Sequence, residues 1–230
     1  SFNQLGQPGL KTLIRAESLA SLRVLDLEKN ALGHARVTPP ALSGAPWLRT
    51  LTSLNLSHNN LTAASCETLL TELDAPALEH IRLDHNAASR GGEMVSDYHR
   101  EGMLPSLRSL EVRGCRLRDE SLQRLFSSPL IEQLERLDLS YNNVVDDDVI
   151  DHLLAGAPRA LEQLDLGKTE VTRPALERLL RGLPSIKKLS CPSKGLSDRD
   201  RVRYSRMDPL VADAIIELRE MAPGVKIIAT

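Results

Sequence analysis

The chain has 230 residues, of which 41% are hydrophobic, 26% charged and only 3% aromatic, so its core must be built from aliphatic side chains, leucine above all. A net charge of -2 gives no global bias toward nucleic acid or an anionic membrane, and any electrostatic effect has to be local. No apolar run approaches the roughly 18 residues that cross a bilayer, and no basic stretch with an apolar core behind it opens the chain.

Cys66, Cys115 and Cys191 are far apart and form no CxxC pair, so neither a zinc site nor a disulfide framework is indicated. A reduced, intracellular and cytoplasmic protein is the expectation. The sequons Asn55-Leu56-Ser57 and Asn60-Leu61-Thr62 arise from a repeating pattern and are not read as glycosylation sites.

Near the N-terminus, Pro8 with Leu10, Leu13 and Ile14 predicts a short helix with proline in its first turn. It is either a cap or the helical half of an earlier unit. From Leu22 on, one pattern recurs, LxxLxLxxNxL. It is met by Leu22, Leu25, Leu27, Asn30 and Leu32, then by Leu51, Leu54, Leu56, Asn59 and Leu61. The third unit has Leu78, Ile81, Leu83, Asn86 and Ala88, and the fourth has Leu107, Leu110, Val112, Cys115 and Leu117. The fifth has Leu134, Leu137, Leu139, Asn142 and Val144; the sixth has Leu161, Leu164, Leu166, Thr169 and Val171. A degenerate seventh has Ile186, Leu189, Cys191 and Leu196. The first residues of successive units are separated by 29, 27, 29, 27, 27 and 25 positions.

In each LxL step alternate residues fall on one side of a short strand, so the leucines face inward and the intervening residues outward. One unit alone exposes its leucines; stacked units bury them in a continuous core. The terminal asparagine is expected to bond main-chain groups where the chain turns away. Helical spacing comes after the strands, as at Leu69, Leu70 and Leu73, at Leu122, Leu125 and Phe126, and at Leu176, Leu179 and Leu180.

Over residues 22–196 these units resemble the ribonuclease-inhibitor-like class of leucine-rich repeats. That resemblance implies an α/β solenoid with a curved parallel sheet on the concave side and helices on the convex side. It implies a single domain over 1–230, with an N-terminal cap or partial repeat at 1–21, about seven repeats and a C-terminal cap at 197–230, as part of a longer protein. The class includes ribonuclease inhibitors, GTPase-activating proteins of the Ran type, tropomodulin-like actin cappers and sensing ends of immune receptors, so fold does not select function. The alternating cysteines of ribonuclease inhibitors are missing here, Cys115 alone standing where one would be.

Past the repeats, Asp208-Pro209 reads as a cap and first helical residue before Leu210, Val211, Ala214, Ile215 and Leu218, and Val225 to Ile228 as a closing strand. Residues 195–208 read as a charged loop, and 87–103 as a weakly packed interruption. Asp146-Asp147-Asp148 stands where carboxylates cap a helix. Residues 132–166 hold nine acidic and two basic side chains, whereas 168–206 hold eleven basic and four acidic. That switch reads as solvated helix faces or as a patch that steers a partner.

The outward strand residues form columns. The central one runs Asp26, Asn55, Arg82, Glu111, Asp138, Asp165, Ser190; the next runs Glu28, Ser57, Asp84, Arg113, Ser140, Gly167, Pro192; a third runs Lys29, His58, His85, Gly114, Tyr141, Lys168, Ser193. No catalytic constellation and no phosphate-binding glycine loop is recognisable, so no enzyme and no cofactor is expected. His58, His85, Asp84 and His80 could be imagined around a metal, without a geometry that favours it. Interfaces draw much of their energy from arginine and tyrosine anchors, which selects Arg82, Arg113, Arg136 and Tyr141, with Asp84, Glu111 and Asp138 between them. The expected function is non-catalytic binding of a protein partner on the concave face. A regulator of a nucleotide-binding enzyme is the alternative, and nucleic-acid binding through 168–206 a weaker one; neither a small-molecule substrate nor a membrane is expected as partner.

Overall fold

The computed structural model describes residues 3–33, 42, 44–62, 73–86, 104–193 and 209–230. Eight short strands, β1 (Val24–Asp26), β2 (Ser53–Asn55), β3 (His80–Arg82), β4 (Ser109–Glu111), β5 (Arg136–Asp138), β6 (Gln163–Asp165), β7 (Lys188–Cys191) and β8 (Lys226–Ala229), form one parallel sheet in sequence order. The register pairs equivalent leucines throughout: Leu25, Leu54, Ile81, Leu110, Leu137, Leu164, Leu189 and Ile227 lie side by side. Leu110, Leu137, Leu164 and their neighbours are almost wholly buried in one continuous core. The β8 segment is the closing strand expected at Val225 to Ile228, displaced by one residue.

Among the described residues six α-helices accompany the strands: α1 (Gly6–Ile14), α2 (Asp119–Phe126), α3 (Pro129–Gln133), α4 (Asp147–Ala155), α5 (Arg173–Gly182) and α6 (Pro209–Met221). Leu122, Leu125 and Phe126 of α2, Val149, Ile150 and Leu153 of α4, and Ala175, Leu176 and Leu179 of α5 turn inward. This is the spacing a helix needs to bury one stripe. In α1, Leu10 is buried, and Trp47 donates its indole N–H to the Leu13 carbonyl at 3.0 Å. The chain is thus an α/β leucine-rich-repeat solenoid with its strands on the concave side and its helices on the convex side.

In the fifth repeat, Val145 rather than Val144 is buried after the asparagine. The turn leading into α4 is one residue longer than the pattern allows, so the inward position moves by one. The expected helix around Leu69, Leu70 and Leu73, the interruption at 87–103, Leu196, Cys66, and the loop at 195–208 fall outside the described residues, apart from Leu73, which is buried.

Buried amides link the repeats. Asn59 donates to the carbonyls of Leu27 and Leu56 and accepts from the Asn30 amide; Asn86 donates to Leu56 and Leu83 and accepts from Asn59. Asn142 donates to Val112 and Leu139. Each asparagine therefore satisfies carbonyls of its own turn and of the previous one, which otherwise would be buried without donors. At the fourth repeat Cys115 offers only its thiol, 3.1 Å from the Leu83 carbonyl and 3.6 Å from that of Arg113, and at the sixth Thr169 bonds the Leu166 carbonyl. Burial pushes the Cys115 thiol up to about 12, and that of Cys191 likewise to about 12. Both are protonated core cysteines.

A second regularity is conformational. Lys29, His58, His85, Gly114, Tyr141 and Lys168, the third column, all have φ between 55° and 59°. The chain leaves the strand through this left-handed residue, and its amide donates to the next repeat, as from His58 to Asp84, His85 to Arg113 and Tyr141 to Gly167. Six non-adjacent residues thereby become lateral neighbours at the C-terminal edge of the sheet, although only one is glycine.

Candidate functional site

Across the sheet face, most central-column residues have a local duty. Asp26, Asn55, Asp138 and Asp165 each accept a hydrogen bond from the amide two residues on, at 2.9–3.0 Å. A short side chain closing such a loop fixes the exit from the strand. Arg82 and Glu111 cannot make that bond in the same way. In its place Asp84 reaches across to the Arg113 amide at 3.0 Å.

Glu111 is only 7% exposed. Arg82 Nε lies 2.8 Å from one of its oxygens and Arg136 Nη2 3.4 Å from the other, so a nearly buried carboxylate is bracketed by arginines of the two adjoining strands. Arg82 also lies 3.9 Å from Asp84. Reversing these arginines would leave Glu111 facing two further carboxylates in a poorly solvated position, a costly arrangement. The outward-facing arginines of β3 and β5 therefore neutralise a nearly buried carboxylate of the sheet as well as facing the groove.

Arg113 differs. Its guanidinium carbon lies 4.2 Å above the centre of the Tyr141 ring, within the range of a cation–π contact, and its Nε is shut off from solvent with no acceptor. Tyr141 remains 46% exposed. On the other side, the rings of His58 and His85 stack with centroids 4.5 Å apart. A methyl group on Gly114 would come within 2.7 Å of His85 Nδ1, so glycine is what lets the imidazole settle over the next repeat. Desolvation first, and the nearby His58 and Arg113 next, hold His85 below the ordinary histidine range.

The neighbouring acids are already occupied. Desolvation raises the Asp84 carboxyl above the usual range, against the opposing hydrogen bond from the Arg113 amide. Asp138 is likewise raised by burial, although Ser140 bonds it through both amide and hydroxyl. Of the seven residues singled out from sequence, Arg82, Asp84, Glu111 and Arg136 come together in one network and Arg113 and Tyr141 in another beside it, while Asp138 is held in a turn. Sequence reasoning does not join the two histidines to Gly114 as one unit. The signal for it is the third column itself, where a glycine stands alone among larger residues. Among the described residues no group of three His, Cys, Asp or Glu side chains could hold a metal.

Among the described residues, two ion pairs join the acidic stretch 132–166 to the basic one, Asp151 with Arg178 and Glu162 with Lys187. Asp147 takes the amide and hydroxyl of Thr172, and Arg173 is held by Glu177 and Glu217. Segments one repeat apart in sequence are side by side in space, which brings these acids and bases together. Asp146 caps α4, accepting the Val149 amide at 3.2 Å.

A family model for the leucine-rich repeat matches residues 48–70, 104–126 and 133–150. The ribonuclease inhibitor of Sus scrofa is 29% identical over 206 residues, or 86% of this chain and 44% of that protein. The chain thus spans less than half the length of the curated relative it matches. Among solved structures, a chain of the Rad7 and Elc1 complex in yeast covers 98% of this chain, which covers 68% of it, with a TM-score of 0.53 and 17% identity. The tropomodulin C-terminal domain of Caenorhabditis elegans aligns over 60% of this chain and 87% of its own, with a TM-score of 0.43 and 19% identity. The matched segments are leucine-rich repeats, and the chain is similar to leucine-rich-repeat proteins of ribonuclease-inhibitor type. Such families are generally non-catalytic scaffolds for protein interaction. Among the described residues no helix is long and apolar enough to cross a membrane.

Proposed function

We propose that this chain is a non-catalytic interaction module that binds a protein partner on its concave face, at the surface formed by Arg82, Asp84, Glu111, Arg113, Arg136, Asp138 and Tyr141. One observation carries this reading: apart from Thr169 in the sixth repeat, which keeps a ladder bond to the Leu166 carbonyl, the main departures from the repeat lie together. Arg82 and Glu111 replace turn-closing residues, Cys115 replaces the ladder asparagine, and Gly114 is the one glycine of its column; all lie on the neighbouring third and fourth repeats. The fold does not require these changes, since the fifth repeat does without them. They put Arg82 and the buried Glu111 beside Arg113, Arg136 and the exposed Tyr141 near the middle of the sheet, where a partner in the groove makes its densest contacts.

Affinity capture from a cell lysate tests the reading. The pair Arg113→Ala and Tyr141→Ala should abolish capture while the melting temperature stays close to that of the parent. The pair Arg178→Ala and Arg181→Ala, on the convex helix α5, should leave capture unchanged. Loss with the convex pair and retention with the concave pair would place the interface on the helices.

A further inference from the structure

We infer that the edge of the concave face around Arg113 and Tyr141 is a carboxylate-binding subsite, which takes an acidic peptide segment of the partner. The inference rests on the reading of the concave face as an interaction surface and adds the chemistry of what is bound there.

Most charged groups on this face already have partners. Arg82 and Arg136 are spent on Glu111. The Asp84 carboxylate takes the Arg113 main-chain amide, and Asp138 takes the Ser140 amide and hydroxyl. The Arg113 guanidinium has no carboxylate at ion-pair distance among the described residues, and its Nε is a desolvated donor without an acceptor. The hydroxyl of Ser57, in the same column two repeats earlier, is also buried without a partner and can donate or accept. The one charged group left with an unmet hydrogen bond in this column is therefore a donor, Arg113.

Placement comes from the ring contact. The Arg113 guanidinium carbon is held 4.2 Å from the centre of the Tyr141 ring, and a planar carboxylate can meet a guanidinium edge with two parallel hydrogen bonds. Because the ring contact holds the guanidinium near one place, less side-chain freedom is lost on binding than for a mobile arginine. The exposed Tyr141 ring supplies an apolar surface for the atoms preceding the carboxylate.

The charge of the surroundings selects the ligand. Asp84, Glu111, Asp138 and Asp165 lie on the same face. They repel a doubly charged phosphate more strongly than a singly charged carboxylate. An acidic side chain in a peptide is therefore the better occupant.

Fluorescence anisotropy on the whole chain tests this, using a short labelled peptide with a single glutamate and the same peptide with glutamine in its place. The glutamate peptide should bind, and Arg113→Gln should weaken it by about ten-fold or more, as loss of a charge-assisted pair implies. Tyr141→Ala, at an exposed ring that contributes nothing to the leucine core, should weaken it several-fold and serves if Arg113→Gln folds poorly. Arg178→Gln should change nothing. Equal binding of the glutamine peptide, or an Arg113→Gln affinity equal to that of the parent, overturns the inference. So does displacement of the peptide by inorganic phosphate at concentrations where chloride has no effect. If these fail while the concave pair still abolishes capture, the interaction surface stands and only its ligand chemistry is wrong; failure of both removes the reading beneath.

Discussion

The fifth and the fourth repeats are built on the same frame and use it differently. In the fifth, Asp138 closes the turn through the Ser140 amide, and Asn142 supplies buried donors to Val112 and Leu139. In the fourth, Glu111 stands at the turn-closing position between two arginines, Arg113 lies over the tyrosine of the next repeat, and Cys115 has only a thiol to offer the main chain, 3.1 Å from the Leu83 carbonyl. The regular repeat shows what stacking requires. The irregular one shows what it tolerates: Glu111 and Arg113 change the concave face, whereas Cys115 changes the buried ladder beneath it.

Both repeats share one leucine core, and Leu137→Ala is the most severe test of that. Leu137 is fully buried, so its truncation should cost about 2–5 kcal/mol in denaturant unfolding through lost burial and a cavity. A loss under about 1 kcal/mol would mean that the fifth strand does not face inward as described.

The asymmetry between Asn142 and Cys115 gives the sharper test. Asn142→Ala leaves the carbonyls of Val112, Leu139 and Ser140 without that donor, at about 1–3 kcal/mol for each acceptor left unmatched. Cys115→Ala removes a weakly donating thiol and a small apolar volume, and should cost clearly less in the same unfolding measurement. Equal losses would show that the fourth repeat depends on its ladder residue as much as the fifth, and the distinction between them would fall.

The smallest expected effect is on the convex side. Arg178→Ala breaks an exposed pair with Asp151, 2.9 Å long, and should cost about 0.2–1 kcal/mol by chemical denaturation, with the loss shrinking at high salt. A larger loss would make the acid-to-base switch between repeats a main source of stacking energy.

Most of the frame is legible in the sequence because it depends on local periodicity. A leucine every second residue of a strand, an asparagine at its end and helical spacing afterward specify which side chains turn inward. The paired columns come from register alone. The roles within those columns do not. That Glu111 is bracketed by Arg82 and Arg136, or that Asp84 serves the Arg113 amide, depends on which long side chain bends toward which neighbour. The periodic pattern points to Val144 where Val145 is buried, because a fixed spacing cannot register one additional residue in a turn.

By itself the sequence determined that the chain stacks repeats into one parallel sheet, since each unit's leucines have no other way to leave water. It also determined which residues are outward, because strand alternation leaves them no alternative. The tertiary structure alone decided which outward charges are spent and which are free. Residues about 27 positions apart become lateral neighbours, close enough for an arginine to be neutralised by a glutamate or to rest on a tyrosine. No periodicity records that choice, because hydrogen bonds and ring contacts form between particular side-chain ends, and their geometry exists only once the repeats are stacked.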